Sequence, residues 1–144
     1  MYVLDASVYA PLILQYGAKL IKRLREMKIT TLDLAIYEAC NVFWKQHTKA
    51  HKIDRNEAIV ACKVSKALTR YIILYKITDL DIEEAVKIAI DNNITFYDAS
   101  YIALAKKLNT PIATEDKDIK SAAPNYNIKV LNLQQLINIL EKKN

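Results

Sequence analysis

The chain has 144 residues, of which 52% are hydrophobic and 26% charged, a composition that fits one globular domain and excludes a disordered or fibrous chain. Gly17 is the only glycine where average usage gives about 10, so a Walker A loop, a dinucleotide fingerprint and a nucleophile elbow are all excluded. The net charge is +5, from 21 Lys+Arg against 16 Asp+Glu, which points weakly to a polyanionic partner such as nucleic acid.

Tyr2-Val3-Leu4 is a short apolar run that ends at Asp5 and reads as a buried strand. Ser7 is placed to cap the helix that follows, with Pro11 tolerated in its first turn, and Gly17 breaks the segment. A basic helix over 18–27 comes next, with Lys19, Lys22, Arg23, Arg25 and Lys28 on it or just beyond. Ile29-Thr30-Thr31 reads as a second strand. Asp33 then caps a long helix over 34–48, apolar on most sides, which carries Glu38 and Cys40. A basic elbow from His47 to Asp54 leads to a helix over 55–69, and 71–77 reads as a strand. Asp79 or Asp81 opens a helix that reaches 92, with Ile82, Ala85, Val86, Ala89 and Ile90 at helical spacing. Asp98 opens the next, through Leu108. Pro111 to Thr114 is a strand, followed by the acidic turn Glu115 to Asp118 and a short helical turn. A last strand at Ile128 to Leu131 and a helix from Leu133 to Glu141 finish the chain.

Short strands that alternate with helices argue for an α/β fold, a parallel sheet with helices on both faces. In such sheets functional groups gather at the carboxyl ends of strands, near the switch in strand order. The whole chain, 1–144, reads as one domain without linker or repeat. No apolar run reaches the roughly 18 residues of a membrane span, and the start lacks a basic n-region, so a soluble cytoplasmic protein is expected. Cys40 and Cys62 are expected to be buried, reduced thiols, with a disulfide between the two helices as the minor alternative. An excess of Ile, Lys and Tyr is compatible with a hyperthermophile source.

The acids carry the chemistry. Asp5 follows the first strand directly, and Asp116 follows Thr114 by two residues. By the open-sheet rule both sit at one rim. Glu38 in LAIYEACNVFW and Asp98 in TFYDASYIALA lie in apolar surroundings, where a lone carboxylate is costly to bury. Taken singly, each has an ordinary explanation as a helix cap, a turn residue or a solvent-facing side chain. Taken together, four carboxylates on one rim repel each other unless a cation lies among them. Hard oxygen ligands select Mg²⁺ or Mn²⁺ over Zn²⁺, and such ions promote water attack on phosphodiesters. His47 and His51 stand four apart but have no clear third ligand, so they read as structural or solvent-facing.

YVLDAS, YEACNVFW and YDASYIALAKKLNTPIATEDKDI together resemble a PIN domain, the nuclease fold of VapC-type toxins. The resemblance spans nearly the whole chain. It implies a three-layer α/β/α PIN-like fold around a mainly parallel sheet of four to five short strands. It makes Asp5, Glu38, Asp98 and Asp116 the metal-binding, catalytic acids, with Ser7, Asn41 and Thr114 as supporting polar positions. Asp118 takes or shares the fourth acidic role; the spacing from Thr114 favours Asp116. The implied reaction is Mg²⁺- or Mn²⁺-dependent hydrolysis of RNA by an endoribonuclease, with Glu38 binding a metal or orienting the attacking water. Lys45, Lys49, Lys52 and Arg55 are candidates for RNA backbone contacts, or else a solvated elbow. Tyr97 and Tyr101 flank Asp98 and are candidates to line the site mouth. The resemblance also implies a VapB-like antitoxin and a homodimer. Two alternatives stay open: a PIN nuclease of RNA processing or decay without an antitoxin, and a noncatalytic module that binds RNA or protein.

Overall fold

In the computed structural model, which describes residues 1–142, the apolar runs form five strands: β1 (Tyr2–Leu4), β2 (Ile29–Leu32), β3 (Ile73–Tyr75), β4 (Ile112–Ala113) and β5 (Val130–Leu131). All pairings are parallel, in the order β3-β2-β1-β4-β5. The chain builds outward from β1 to β2 and β3, then returns to the other side of β1 for β4 and β5. The switch in strand order therefore falls between β1 and β4. Among the described residues, seven helices supply the crossovers, α1 (Ala6–Tyr16), α2 (Leu20–Glu26), α3 (Leu34–Thr48), α4 (Arg55–Leu68), α5 (Ile82–Asn92), α6 (Phe96–Leu108) and α7 (Lys117–Ala122), and α8 (Leu133–Lys142) follows the last strand.

Successive strand residues face opposite sides of the sheet, and both sides are buried. Leu4, Ala113 and Leu131 meet Val8, Tyr9, Leu24, Phe43, Leu68 and Leu136 on one side. Val3 and Ile112 meet Ala85, Ile88, Ile102, Leu104 and Ile119 on the other. The result is three layers, with α1, α2, α4 and α8 on one face and α5, α6 and α7 on the other. Helix α3 packs against α1 and α4 and contributes to both cores, through Ala35 on one side and Ala39 and Phe43 on the other. Buried Tyr9 donates its hydroxyl to the Ser65 carbonyl at 2.8 Å and so joins α1 to α4. Among the described residues no helix is long and apolar enough to cross a membrane.

Several boundaries differ from the sequence expectations. Asp5, and not Ser7, occupies the N-cap position of α1, and its side chain makes no capping bond. Pro11 therefore lies inside α1 rather than in its first turn, and the helix runs through it without the hydrogen bond that its missing N–H would donate. Gly17 ends α1 at φ +53°, a left-handed backbone that glycine adopts without strain. Asp98 does not open α6: Thr95 is its N-cap and accepts from the Asp98 N–H at 3.1 Å, so Asp98 lies inside the first turn. Asp81 rather than Asp79 caps α5, accepting from the Glu84 N–H. The third strand is shorter than 71–77, because a 3-10 turn takes over at Ile77–Asp79. The basic helix over 18–27 begins with a 3-10 turn, and Arg23 is occupied in donating to the Leu140 carbonyl at 2.6 Å. The histidines share no helix: α3 ends at Thr48, and His51 has φ +53°. His47 packs its Nδ1 2.9 Å from the Ile53 carbonyl. Cys40 and Cys62 are free thiols and half-buried rather than fully buried.

The packing predicts a stability test. Phe43→Ala removes a fully buried ring of α3 from the core that α3 shares with α1 and α4, and should lower unfolding free energy by about 3–5 kcal/mol in a urea titration.

Candidate functional site

The register of β1 places the first acid. Leu4 pairs with Ala113, so Asp5 and Thr114 emerge side by side at the carboxyl ends of β1 and β4, at the switch point. Val3 and Ile112 face the α5–α7 layer, and alternation sends Asp5 and Thr114 to that same side, beneath α6 and α7.

Asp5 is 4% exposed and held on both oxygens. Ser7 Oγ donates to Oδ1 at 2.5 Å and Thr114 Oγ1 donates to Oδ2 at 2.5 Å. Each hydroxyl is fixed from behind by a backbone N–H: Glu115 donates to Ser7 Oγ at 2.8 Å, and Asp116 donates to Thr114 Oγ1 at 2.9 Å. Ser7 and Thr114, two of the residues expected to support the site, thus close a ring around its most buried carboxylate. A carboxylate has about four lone-pair positions, so this clamp leaves acceptor capacity toward the rim.

Asp116 is the N-cap of α7, where its Oδ1 accepts from the N–H groups of Asp118 and Ile119 at 2.9 and 3.0 Å. The same short turn brings in Asp118. Carboxylate oxygens of Asp98, Asp116 and Asp118 lie within 4.8 Å of one another. The structure therefore gathers both Asp116 and Asp118 rather than one of them. Glu115, in the same turn, faces elsewhere: it accepts from the Leu133 N–H and pairs with Lys120 at 3.0 Å. Those two partners hold its carboxyl below the usual range, the Leu133 N–H contributing most.

Glu38 reaches the rim from α3. Its Oε1 accepts from the Tyr101 hydroxyl at 2.6 Å, a link between α3 and α6. Tyr101 is buried, so it does not line a mouth or stack on a base, as its position beside Asp98 suggested; it positions Glu38. Burial first, and then the charge and hydrogen bond of Glu38, raise the Tyr101 hydroxyl far above its ordinary range and keep it a donor. Nothing in the spacing of Glu38 and Tyr101, 63 residues apart, announced this pair. Asn41 lies one turn after Glu38 and is exposed. Tyr97 is 60% exposed beside Asp98.

The acids are electrostatically uncompensated. No ion pair among the described residues includes Asp5, Glu38, Asp98, Asp116 or Asp118. Burial pushes Asp5 up to about 6 against the pull of its Ser7 and Thr114 hydrogen bonds, with a further push from Asp116. Burial, and then the charge of Asp116, push Asp98 up to about 6, with smaller contributions from Asp118 and Glu38. Lys45, Lys49, Lys52 and Arg55 are all exposed. Lys45 lies seven residues beyond Glu38 on α3, about 10 Å along the helix axis, Lys49 follows the end of α3, Lys52 lies in the elbow and Arg55 opens α4.

A linkage effect follows from the two raised carboxyls. Their folded values of about 6 exceed the ordinary 3.8, so the folded chain binds protons that the unfolded chain releases. The stability they contribute is fully present below pH 3.8 and is lost as pH rises through about 6. In chelator, urea titrations should therefore show these groups weakening the fold across that window. Asp98→Asn should flatten part of the slope and raise stability at pH 7.

Comparison with known proteins agrees with this geometry. Residues 2–124 match the PIN domain family. Exonuclease VapC9 of Pyrobaculum aerophilum is 33% identical over 118 residues, covering 82% of each chain. Ribonuclease VapC3 of the same organism is 27% identical over 127 residues, covering 85% of this chain and 94% of that one. The crystal structure of PAE2754, also from Pyrobaculum aerophilum, superposes with a TM-score of 0.75 at 28% identity, covering 98% of this chain and 89% of that one. A PilT N-terminus domain protein of Sulfolobus solfataricus shares the fold at 18% identity, with a TM-score of 0.52. A five-stranded parallel sheet with acids gathered at its switch point, and a family match over most of the sequence, lead to one conclusion: the chain belongs to the PIN domain family.

Proposed function

We propose that this protein is a divalent-cation-dependent ribonuclease of VapC type, with Asp5, Glu38, Asp98, Asp116 and Asp118 as its working acids. One observation carries the reading: the oxygens of Asp98, Asp116 and Asp118 converge within 4.8 Å, beside Asp5 and Glu38, with no cation among their described partners. An all-oxygen, all-anionic donor set suits Mg²⁺ or Mn²⁺. The names of the relatives, a ribonuclease and an exonuclease, supply the substrate class.

Asp98, Asp116 and Asp118 would hold the ion, with Asp5 completing the set from below. A bound ion supplies charge stabilisation to the scissile phosphate and acidity to water. Ser7 and Thr114 keep the Asp5 carboxylate turned toward the rim. Tyr101 occupies Glu38 Oε1 and leaves Oε2 to orient the attacking water and accept its proton. No side-chain nucleophile is required. The exposed Lys45, Lys49, Lys52 and Arg55 hold flanking phosphates of a longer strand. The VapC names of the relatives support a VapB-like antitoxin as inhibitor. An exposed apolar stripe on α5, Ile82, Val86 and Ile90, supports a homodimer.

The test is cleavage of single-stranded RNA, linear and circular, with Mg²⁺ or Mn²⁺. Cutting of the circle is expected, because the acids lie on an open rim; cutting of the linear strand alone would assign an end-dependent activity like that in the name of the first relative. Asp5→Asn, Asp116→Asn and Glu38→Gln should each lower the rate by about 10²-fold or more. Ser7→Ala and Thr114→Val should cost roughly 10–100-fold. A wild-type chain that cuts no RNA with either ion would overturn the reading.

A further inference from the structure

The acidic turn brings the carboxylates of Asp116 and Asp118 to within 4.8 Å of Asp98, and the helix that follows it, α7, has only six residues. A helix that short has little stability of its own, so the turn must be held from outside. Glu115 stands at its start. The sequence puts this acid beside the others, yet its carboxylate is engaged elsewhere on both oxygens. Oε1 accepts from the Leu133 N–H at 2.6 Å, and Oε2 pairs with Lys120 at 3.0 Å. Its own N–H donates to Ser7 Oγ, which in turn donates to Asp5. One residue therefore touches α7, α8 and the clamp on the central acid.

The far end of this link is firm. Leu133 is the first residue of α8, and no carbonyl within the helix can reach its N–H. Asn132 and Gln135 cap the same turn reciprocally, each side chain accepting from the other's N–H at 2.8 Å. The Leu133 amide is left to Glu115, whose negative charge also meets the positive end of the helix dipole. Helix α8 is seated by buried Leu136, Ile137 and Leu140, and Arg23 of α2 donates to the Leu140 carbonyl at 2.6 Å. The match to the PIN family ends at residue 124, so this anchor lies in a part of the chain outside the match.

We propose that Glu115 is a positioning residue whose carboxylate ties the acidic turn to the first amide of α8 and so sets the spacing of Asp116 and Asp118 for a divalent cation. This rests on the cation-site reading above and deepens it. Asp116 follows Glu115 directly, and its Oδ1 is bonded to the Asp118 and Ile119 N–H groups. A shift of the turn therefore moves both acids together relative to Asp98. Mg²⁺ demands near-ideal octahedral geometry, so a small shift costs affinity. Aimed at the rim, Glu115 would add another negative charge to acids that already repel each other. Tied to Lys120 and to the start of α8, its charge is opposed instead.

The test uses the full chain as wild type, Glu115→Ala and Glu115→Gln. Mn²⁺ affinity is read from the paramagnetic resonance signal of the free ion. Glu115→Ala should weaken Mn²⁺ binding by about tenfold. Glu115→Gln loses the same charge but keeps an Oε1 acceptor for the Leu133 N–H, and should stay within about threefold of wild type. Amide hydrogen exchange in chelator supplies a readout without metal. In Glu115→Ala the Leu133, Asp118 and Ile119 amides should exchange about tenfold faster, while Val3 on the central strand is unchanged, which separates loss of the tie from general loss of stability. Equal Mn²⁺ affinity in all three chains, or an equal loss in both variants, would overturn the proposal, the second outcome making the effect one of charge alone. So would faster exchange at Leu133 with none at Asp118 and Ile119. A wild type that shows the expected pattern yet cuts no RNA sinks the nuclease reading and still supports the tie.

Discussion

The structure turns on a buried carboxylate at the end of its central strand. Asp5 is almost wholly removed from water, and burial of a charge is tolerated only when its oxygens are satisfied. Here two hydroxyls satisfy them, one from the residue two places on and one from the far side of the sequence. Ser7 and Thr114 are themselves fixed by backbone N–H groups of the acidic turn. The clamp therefore joins β1, β4 and the start of α7 into one unit. It exists because β4 returns to pair with β1, which makes the central strand the one with both its partners at the switch point.

Around that unit the protein concentrates like charge. Three aspartates converge, a glutamate arrives from another layer, and no described ion pair relieves them. Such an arrangement costs stability in the absence of a cation and gains it back when one binds, which is the usual sign of a site shaped by its ligand rather than by the fold. The chain as a whole has the opposite sign. With five of its 16 acids at the rim, a chain of net charge +5 carries an excess of basic groups elsewhere, which favours a polyanion, and a cation held at the rim would neutralise the acidic centre. The lone glycine fits the proposed function, in which phosphate would be approached through a cation and side chains rather than through a backbone loop.

Much of this was legible in the sequence. The alternation of short apolar runs with helical periodicity was enough for a parallel sheet with helices on both faces, because parallel strands need crossover helices, which cover the sheet. Asp5 and Asp116 were visible as acids that directly follow strands, and Glu38 and Asp98 as carboxylates in apolar company. What escaped the sequence was everything set by contacts distant along the chain. Tyr101 looked like a mouth residue because it neighbours Asp98, yet helix rotation buries it and turns its hydroxyl onto Glu38. Asp33 and Ser7 looked like caps because of their residue types, but the backbone placed Asp5 at one helix start and left the Asp33 side chain without a capping bond. The basic run at 45–55 could not be assigned to the rim or away from it until the length and direction of α3 were known.

The central claim is that the raised carboxyls and the cation site are one and the same. Calorimetric titration of Mn²⁺ into the metal-free chain, repeated in buffers of different ionisation enthalpy, tests it directly. Asp5 and Asp98 are each half-protonated near pH 6. The account predicts saturable binding that releases about one proton at pH 6 and almost none at pH 8. Saturable binding with no pH-dependent proton release, or no saturable binding at all, would contradict it.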